Sequence, residues 1–243
     1  MRIRIYSDLH IECAEFDPPA NDADIVILAG DISTKTRGVK WANAAFRCPV
    51  IYVAGNHEFY SGHLDGTLRK MKQAASSNVH VLENETFIRE ETRFLCSTAW
   101  TDFSSSGDRI AATKMAWDWM NDFRMIRVDT SYRRLRPDDL VSRNQEAYRW
   151  LSAELKKPFS GRTVVVTHHS PIPEVAGHKH DGHLCAAYAN SWHQLLDGVD
   201  MWVFGHTHQA IDTSLGGCRF VSNPRGYPSE QTGFNPDLTV EFR

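Results

Sequence analysis

Side chains that commonly bind metal ions follow five apolar segments of the chain, at the points where these segments end. The residues at these positions are Asp8, His10, Asp31, Asn56, His57, His168, His206 and His208. Imidazole and carboxylate groups together suit divalent transition ions such as Zn, Fe, Mn and Ni. Because none of the five clusters contains a cysteine, a structural zinc site is disfavoured. The pattern therefore predicts a centre for two divalent ions, which seven of these side chains can hold if Asp31 bridges them.

The spacing within two clusters indicates how their side chains can share an ion. In an extended segment alternate residues point the same way, so Asp8 and His10 can approach one ion together. The same holds for His206 and His208. Glycines precede the polar residues of three clusters, at positions 30, 55 and 205. A glycine there lets the backbone turn sharply and come close to the cluster.

Five predicted strands carry the clusters, and helices and shorter strands lie between them. The strands cover 2–6, 24–29, 49–54, 163–167 and 200–204. Helical spacing occurs at 36–46, 61–75, 108–121, 137–155 and 184–196, and short strands at 79–82, 86–89, 93–97 and within 209–243. Continuous apolar strands are typical of sheets buried on both faces. We therefore expect one α/β domain over 1–243, with mixed sheets flanked by helices and a site at the carboxyl ends of the strands.

The segment 104–149 is a candidate helical cap for that site. Its part from 124 to 149 holds seven arginines against four acidic residues, a local net charge of +3. Such a run is usually a solvated face, but in a cap some of the arginines could contact a phosphate or nucleotide. A second set of residues has helical spacing and is expected in the core: Met115, Trp117, Trp119 and Met120.

Composition narrows the class of protein. The 243 residues carry 27 Lys and Arg against 30 Asp and Glu, and this near-neutral balance disfavours nucleic-acid and membrane-surface binders. Apolar runs fall short of the roughly 18 residues that a membrane span needs. The start of the sequence has no secretory pattern, so the cytoplasm is the expected location. Five scattered cysteines do not suggest a disulfide framework.

The set of motifs resembles the calcineurin-like metallophosphoesterase superfamily. The blocks of that family are D-x-H, GD, GNH-[DE], a histidine after an apolar strand, and GHxH. They stand here, in order, as Asp8-Leu9-His10, Gly30-Asp31, Gly55-Asn56-His57-Glu58, His168 and Gly205-His206-Thr207-His208. The resemblance implies a four-layer α/β/β/α sandwich with the metal site at the carboxyl edge of the strands.

The resemblance also implies roles for these residues. One ion would be held by Asp8, His10, Asp31 and His208, and the other by Asp31, Asn56, His168 and His206. His57 would contact the phosphate and protonate the leaving oxygen, with Glu58 orienting it from outside the ligand set. A hydroxide bridging the two ions, with Asp31 as the shared ligand, would attack phosphorus in line.

Several assignments stay open at this point. His168 is preferred to His169 as the ligand, which leaves His169 as a candidate substrate contact. Asn56 is a second candidate for that role, and Arg225, in the turn 223–227, is a third. The histidine-rich loop 178–183 either contacts substrate or is solvated.

The leading hypothesis is a metal-dependent hydrolase for a small phosphate monoester or diester, with a nucleotide-type substrate favoured. One alternative is a non-catalytic scaffold of the same fold that binds a protein partner, and another is a nuclease. The absence of an evident basic track with stacking aromatic residues disfavours nucleic acid as the substrate. The oligomeric state, the identity of the ions and the preference for monoester or diester are left open.

Overall fold

Two large β-sheets form the centre of the structure, a computed structural model that describes residues 1–20, 22–177 and 182–241. The strands are β1 (Arg2–Tyr6), β2 (Ile25–Ala29), β3 (Val50–Val53), β4 (Val79–Val81), β5 (Glu85–Arg89), β6 (Thr92–Ser97), β7 (Arg127–Val128), β8 (Arg133–Arg134), β9 (Arg162–Thr167), β10 (Met201–Phe204), β11 (Ile211–Leu215), β12 (Cys218–Ser222) and β13 (Thr239–Glu241). The α-helices are α1 (Arg37–Ala45), α2 (Leu64–Ala74), α3 (Arg109–Trp119), α4 (Asp122–Met125) and α5 (Pro137–Leu155).

Both sheets are mixed. The first has the strand order β13-β1-β2-β3-β4, with β1 to β4 parallel and β13 antiparallel to β1. The second has the order β11-β12-β10-β9-β6-β5, with four parallel inner strands and an antiparallel strand at each edge. Parallel strands place their carboxyl ends at one edge of a sheet, so each sheet delivers several loops to the same place.

The sheets pack face to face and helices cover their outer faces, which confirms the expected four layers. On β2, Ile25 and Ile27 enter the core between the sheets, whereas Val26 and Leu28 face the α1 and α2 layer. On the other side, α5 packs against the second sheet through residues such as Leu151. The strands are therefore buried on both faces, as their continuous apolar runs predicted.

The prediction of a helix at 184–196 is wrong. This stretch forms two short 3₁₀ turns, Gly182–Ala187 and His193–Leu195. Between them the chain is extended enough for Ala189 to form a parallel bridge with Ser170. The backbone of Asn190 also bonds to Ser170, at 2.9 Å. These tertiary backbone bonds replace those of a helix.

The core assignment of the two tryptophans on α3 is also wrong. Trp117 is 44% exposed and Trp119 is 72% exposed, because α3 packs through Ala112 and Ala116 instead. Small side chains let the helix lie close to the turn 182–187 and leave the large rings outside. Met120, just after α3, is partly buried against the core.

The segment 104–149 contains α3, α4, the β7–β8 hairpin and most of α5. Several of its arginines bind nearby acids. Arg133 pairs with Asp129 and Asp139, and Arg143 pairs with Asp65. These contacts fit the solvated-face interpretation of the arginine run. Among the described residues, none of the helices combines the length and the apolar character needed to cross a bilayer.

A buried arginine joins the second sheet to the end of α5. The guanidinium of Arg93 on β6 donates to Oγ1 of Thr163 at 2.9 Å, and to the backbone oxygens of Glu154 and Lys157, both at 3.0 Å. Its exposed fraction is only 7%. A cation at the carboxyl end of a helix also interacts favourably with the helix dipole.

We expect Arg93→Met to lower the free energy of unfolding by about 2–3 kcal/mol, because three acceptors, one buried and two partly buried, lose a charged donor. The measurement is urea denaturation followed by circular dichroism. Lys70→Met is the matched control, since Lys70 is exposed on α2. Equal stabilities of the two variants would contradict the role given to Arg93.

Candidate metal centre

Donor atoms of the predicted ligands meet in two groups at the carboxyl edge of the sheets. The first group is formed by Asp8, His10 and His208, and the second by Asp31, His168 and His206. In the first, Nε2 of His10 lies 3.1 Å from Nε2 of His208, which lies 3.4 Å from Oδ1 of Asp8. Two ligands of one ion at about 2.1 Å are themselves about 3.0–3.4 Å apart, so these distances fit a shared ion.

The second group has the same spacing. Nε2 of His168 lies 3.1 Å from Oδ1 of Asn56, 3.2 Å from Nδ1 of His206 and 3.5 Å from Oδ2 of Asp31. All four side chains are buried. Three nitrogen and oxygen donors around one imidazole nitrogen cannot all be satisfied by its single proton or lone pair. A divalent cation among them satisfies the whole set.

The backbone reaches these positions through the left-handed region of φ and ψ. The ligands with positive φ are Asp8 (48°), His10 (44°), Asp31 (55°), His206 (68°) and His208 (50°). The expectation of extended segments with alternate side chains on one side is therefore wrong. His206 and His208 enter different groups, because the chain turns between them. Such conformations cost about 1–3 kcal/mol each and concentrate at functional sites.

Glycines permit this close approach, as predicted. A Cβ on Gly30, whose φ is +87°, would stand 2.2 Å from Nδ1 of His168. A Cβ on Gly205 would stand 2.6 Å from Oδ2 of Asp8. Any side chain at either position would push a ligand out of its group.

The carboxylates are ionised despite their burial. Burial favours the neutral form of Asp31, but the imidazoles of His168, His57 and His10 outweigh it and hold the pKa of Asp31 well below its usual range. For Asp8, the hydrogen bond and charge of His208 overcome burial in the same way and lower its pKa. Imidazoles of both groups therefore act on the carboxylate of Asp31, which belongs by distance to the second group.

Glu58 holds the loops of this centre rather than His57. Its carboxylate accepts backbone N–H bonds from Asp31 and Ile32, both at 2.9 Å, and from Gly55 at 2.7 Å, and it accepts the hydroxyl of Tyr52 at 2.8 Å. The expectation that Glu58 orients His57 is corrected accordingly. Burial and the charge of Asp31 raise the pKa of Glu58 to about 7.

His57 stands beside the two groups, with each ring nitrogen engaged. Its Nδ1 lies 2.9 Å from Oε1 of Glu12, which also lies 3.3 Å from Nδ1 of His10. Its Nε2 lies 3.0 Å from the hydroxyl of Tyr227. Burial lowers the pKa of His57, but Asp31 and Glu12 raise it to about 9. Glu12 is thus the acid that orients His57.

The side chain of Asn56 is oriented by two partners outside the ligand set. Its Nδ2 donates to Oδ1 of Asp122 at 2.9 Å and to the hydroxyl of Tyr60 at 3.0 Å. The hydroxyl of Tyr60 in turn donates to Asp122 at 2.7 Å. This arrangement turns the amide oxygen of Asn56 toward His168, as a metal ligand requires.

His168, and not His169, belongs to the donor groups. His169 is 2% exposed, and its Nδ1 lies 3.2 Å from the backbone oxygen of Thr98. Its ring packs between Trp100 and His206, with centroid distances of 5.2 and 4.3 Å. Its position supports the ring of His206 and gives no support to a substrate contact.

Arg225 is a structural residue of a neighbouring loop. Its guanidinium donates to the backbone oxygens of Leu9, Ala14 and Glu15, at 3.2, 2.7 and 3.0 Å. It also lies over the ring of Phe16. These bonds use three of the five N–H groups of the guanidinium and fit a structural role, so a contact between Arg225 and a phosphate stays a prediction.

Sequence reasoning missed the polar residues that support the ligands. Glu12 had a signal, because it stands two residues after His10 in the D-x-H block. Glu230 lies 2.6 Å from Nδ1 of His208, and Asp122 at the start of α4 lies 2.9 Å from Nδ2 of Asn56. Neither had a signal, because each is distant in sequence from the ligand that it supports. Tyr227 stands in the turn 223–227 but had been given no role.

A small pocket opens onto both groups. Its lining consists of Asp31, Asn56, His57, Tyr60, Trp119, Met120, Asn121, Tyr188, His206, His208, Tyr227 and Glu230. The cavity holds about 190 Å³, below the roughly 300–1,000 Å³ of pockets for drug-sized ligands. The segment 104–149 contributes the wall 119–121. Of the histidine-rich loop, 178–181 lie outside the described residues, and Nδ1 of His183 is 3.2 Å from Oγ of Ser106.

Comparisons with known proteins agree with this architecture. A curated relative, the uncharacterised protein L509 of Acanthamoeba polyphaga mimivirus, is 25% identical over an alignment that covers all of this chain and 97% of that protein. Phosphopantetheinyl hydrolase from Mycobacterium tuberculosis has a similar fold, with a TM-score of 0.68 at 19% identity, over 93% of this chain and 89% of that one.

A structure from Staphylococcus aureus described as a candidate 5'-nucleotidase is also similar in fold. Its TM-score is 0.51 at 14% identity, over 93% of this chain and 49% of that one. The family profile described as calcineurin-like phosphoesterase matches residues 1–210, most of the chain. With the donor groups and the four layers in place, the chain belongs to the calcineurin-like phosphoesterase family.

Proposed function

We propose that this protein is a dinuclear metal-dependent hydrolase for small phosphate monoesters or diesters. The observation that carries the proposal is the presence of two donor groups at one edge of the sheets, with His57 beside them at the pocket. The backbone N–H of His206, a member of the second group, donates to Asp8 of the first. Membership of a metal-dependent phosphoesterase family supports it. A scaffold that only binds a partner has no need for this complete set of buried, strained ligands.

The two donor groups support a proposed ligand set for each of two ions, with Asp31 shared between the sets as the family resemblance implies. Asp8, His10, Asp31 and His208 would hold the first, and Asp31, Asn56, His168 and His206 the second. Donors of this type suit Mn, Fe, Zn or Ni. When bound, a pair of such ions supplies an activated water and neutralises charge on the phosphoryl oxygens.

His57 is placed to act on the leaving group. Its backbone N–H donates to Oδ1 of Asp31 at 2.8 Å, which ties its position to the shared ligand. Because Nδ1 faces Glu12, a protonated His57 presents its Nε2–H to the pocket. The proton passes from Nε2 to the leaving oxygen as the bond from that oxygen to phosphorus breaks.

The pocket favours a small substrate with a planar part. Its volume is enough for a phosphate group and its nearest atoms, so larger parts of a substrate must extend past the mouth. The indole of Trp119 lines that pocket and is 72% exposed, so it offers a flat apolar surface there. Such a surface suits a nucleobase, and we therefore favour nucleotide-type substrates.

The decisive test is hydrolysis of p-nitrophenyl phosphate and bis-p-nitrophenyl phosphate with Mn²⁺ and after chelation. We expect turnover that chelation abolishes and Mn²⁺ restores. His57→Ala should lower kcat by about 100-fold or more with nearly normal metal content, because general acid catalysis contributes about 10²–10⁴-fold. Asp31→Ala should lose both ions, since it removes the shared ligand.

Metal content is measured by mass spectrometry on the same samples as the rates. Metal-loaded protein without turnover of either ester would overturn the enzymatic proposal in favour of a scaffold. A His57→Ala variant that loses its metal would show that His57 is a ligand instead.

Two glutamates provide a matched pair of substitutions. Glu58→Gln replaces an acceptor of three backbone N–H groups with an amide that also donates, so the Gly30 and Gly55 loops should loosen and metal affinity fall about 10–100-fold. Glu12→Gln keeps an acceptor for His57, and we expect a lower kcat with metal content closer to normal. Isothermal titration with Mn²⁺ measures the affinities. If Glu12→Gln lost metal more readily than Glu58→Gln, these two roles would be reversed.

A further inference from the structure

One pocket residue contacts the catalytic histidine without a role in the proposal so far. The hydroxyl of Tyr227 lies 3.0 Å from Nε2 of His57, the nitrogen that faces the pocket. Its ring stacks on that of His10, with centroids 4.5 Å apart and planes at 27°. The side chain is 37% exposed and lines the pocket. Tyr227 thus forms part of the pocket wall, with its hydroxyl next to Nε2 of His57.

The loop that carries Tyr227 is bound to the metal ligands. The backbone N–H of Gly226 donates to the backbone oxygen of Asp8 at 2.9 Å. The N–H of Tyr227 donates to Oε2 of Glu230 at 2.9 Å, and the same oxygen lies 2.6 Å from Nδ1 of His208. Two residues of the first donor group therefore set where this loop stands. The position of the Tyr227 hydroxyl is therefore fixed through Asp8 and His208.

Close packing at Gly226 supports the same conclusion. Its φ is +72°, and a Cβ there would lie 2.6 Å from Oε2 of Glu230. The backbone of the loop thus approaches Glu230 as closely as a glycine allows. Thr232 closes the loop on the far side, because its Oγ1 donates to the backbone oxygen of Pro224 at 2.5 Å.

Packing of the ring alone does not explain the hydroxyl. A phenylalanine would stack on His10 equally well and would avoid a polar group beside His57. The hydroxyl adds a donor next to the nitrogen at which the leaving oxygen must arrive. An oxygen that accepts the proton of Nε2 must come within about 3 Å of it. It then lies next to the hydroxyl of Tyr227.

We propose that Tyr227 is a substrate-contacting residue whose hydroxyl donates a hydrogen bond to the leaving-group oxygen. This inference rests on the proposed function, in which His57 supplies the proton. As phosphorus separates from the leaving oxygen, the bonding electron pair stays on that oxygen, which takes the proton of Nε2. A hydroxide, formed from a water that has released its proton to solvent, supplies the oxygen of the new bond to phosphorus. The tyrosine keeps its own proton and stabilises the developing negative charge through its hydrogen bond.

The test is Tyr227→Phe with two esters of the type that the wild type hydrolyses, one with p-nitrophenol and one with phenol as leaving group. Phenolate is the more basic leaving group and depends more on hydrogen bonding in the transition state. We expect kcat/KM for the phenyl ester to fall about 10-fold, the effect of one lost hydrogen bond to a charged oxygen. For the p-nitrophenyl ester we expect a change of less than about 2-fold. Metal content should stay at the wild-type level.

Tyr132→Phe is the matched control. Tyr132 is 65% exposed and contacts His63 at a surface away from the pocket lining. Loss of the hydroxyl of Tyr132 should leave kcat/KM for both esters unchanged.

The outcomes separate this inference from the function on which it rests. Wild-type protein that carries metal and turns over neither ester contradicts the proposed function. The role of Tyr227 is overturned if the wild type is active but Tyr227→Phe lowers kcat/KM by the same factor for both esters. It is also overturned if kcat/KM does not change for either ester. Loss of metal from Tyr227→Phe also overturns it, because the hydroxyl would then act only through the structure of the centre.

Discussion

The burial of ionised carboxylates at the carboxyl edge of two sheets is the constraint on which the rest of the molecule depends. Asp8 is 0% exposed and Asp31 is 1% exposed, so water contributes little to their solvation. Imidazoles and backbone N–H groups replace the water, and metal ions would do so in the proposed enzyme. His168 and His208 provide the imidazoles, and the backbone N–H of His206 donates to Asp8 at 2.9 Å. A sheet edge that supplies several loop ends to one point meets this need.

The surrounding structure also has to compensate for conformational strain. Five ligands in the left-handed region would not hold their geometry on an isolated loop, because each has lower-energy alternatives. Here each follows β1, β2 or β10, whose two faces are buried, so none of these three strands can shift without disturbing the core. Glu58, in the 3₁₀ turn His57–Phe59, joins this turn to the loops at the point where Asp31 and Gly55 meet. The rigid sheets thus hold the donor atoms in fixed positions.

The parts of this arrangement that could be predicted are those that depend on the local sequence pattern. Apolar strands such as β2 and β3 and the polar residues after them were visible, because burial on both faces leaves a continuous apolar run. The bonds of Ala189 and Asn190 to Ser170 prevented a helix at 184–196, and no local pattern encodes such contacts. Glu230 and Asp122 are in the same class, since only the folded chain brings them to His208 and Asn56. The exposure of Trp119 follows from the alanine face of α3, which apolar spacing alone does not distinguish from a core face.

The distance along the chain between partners in one donor group has a consequence for folding. His10 and His208 are 198 positions apart, and Asn56 and His168 are 112 apart. An unfolded chain therefore offers no comparable set of donors, and only the assembled sandwich would bind the proposed ions tightly. Each tenfold rise in free ion above the dissociation constant would then add about 1.4 kcal/mol to the stability of the native state. Under the proposed function, the supply of metal in the surroundings would set how often the chain unfolds and how long it survives proteolysis.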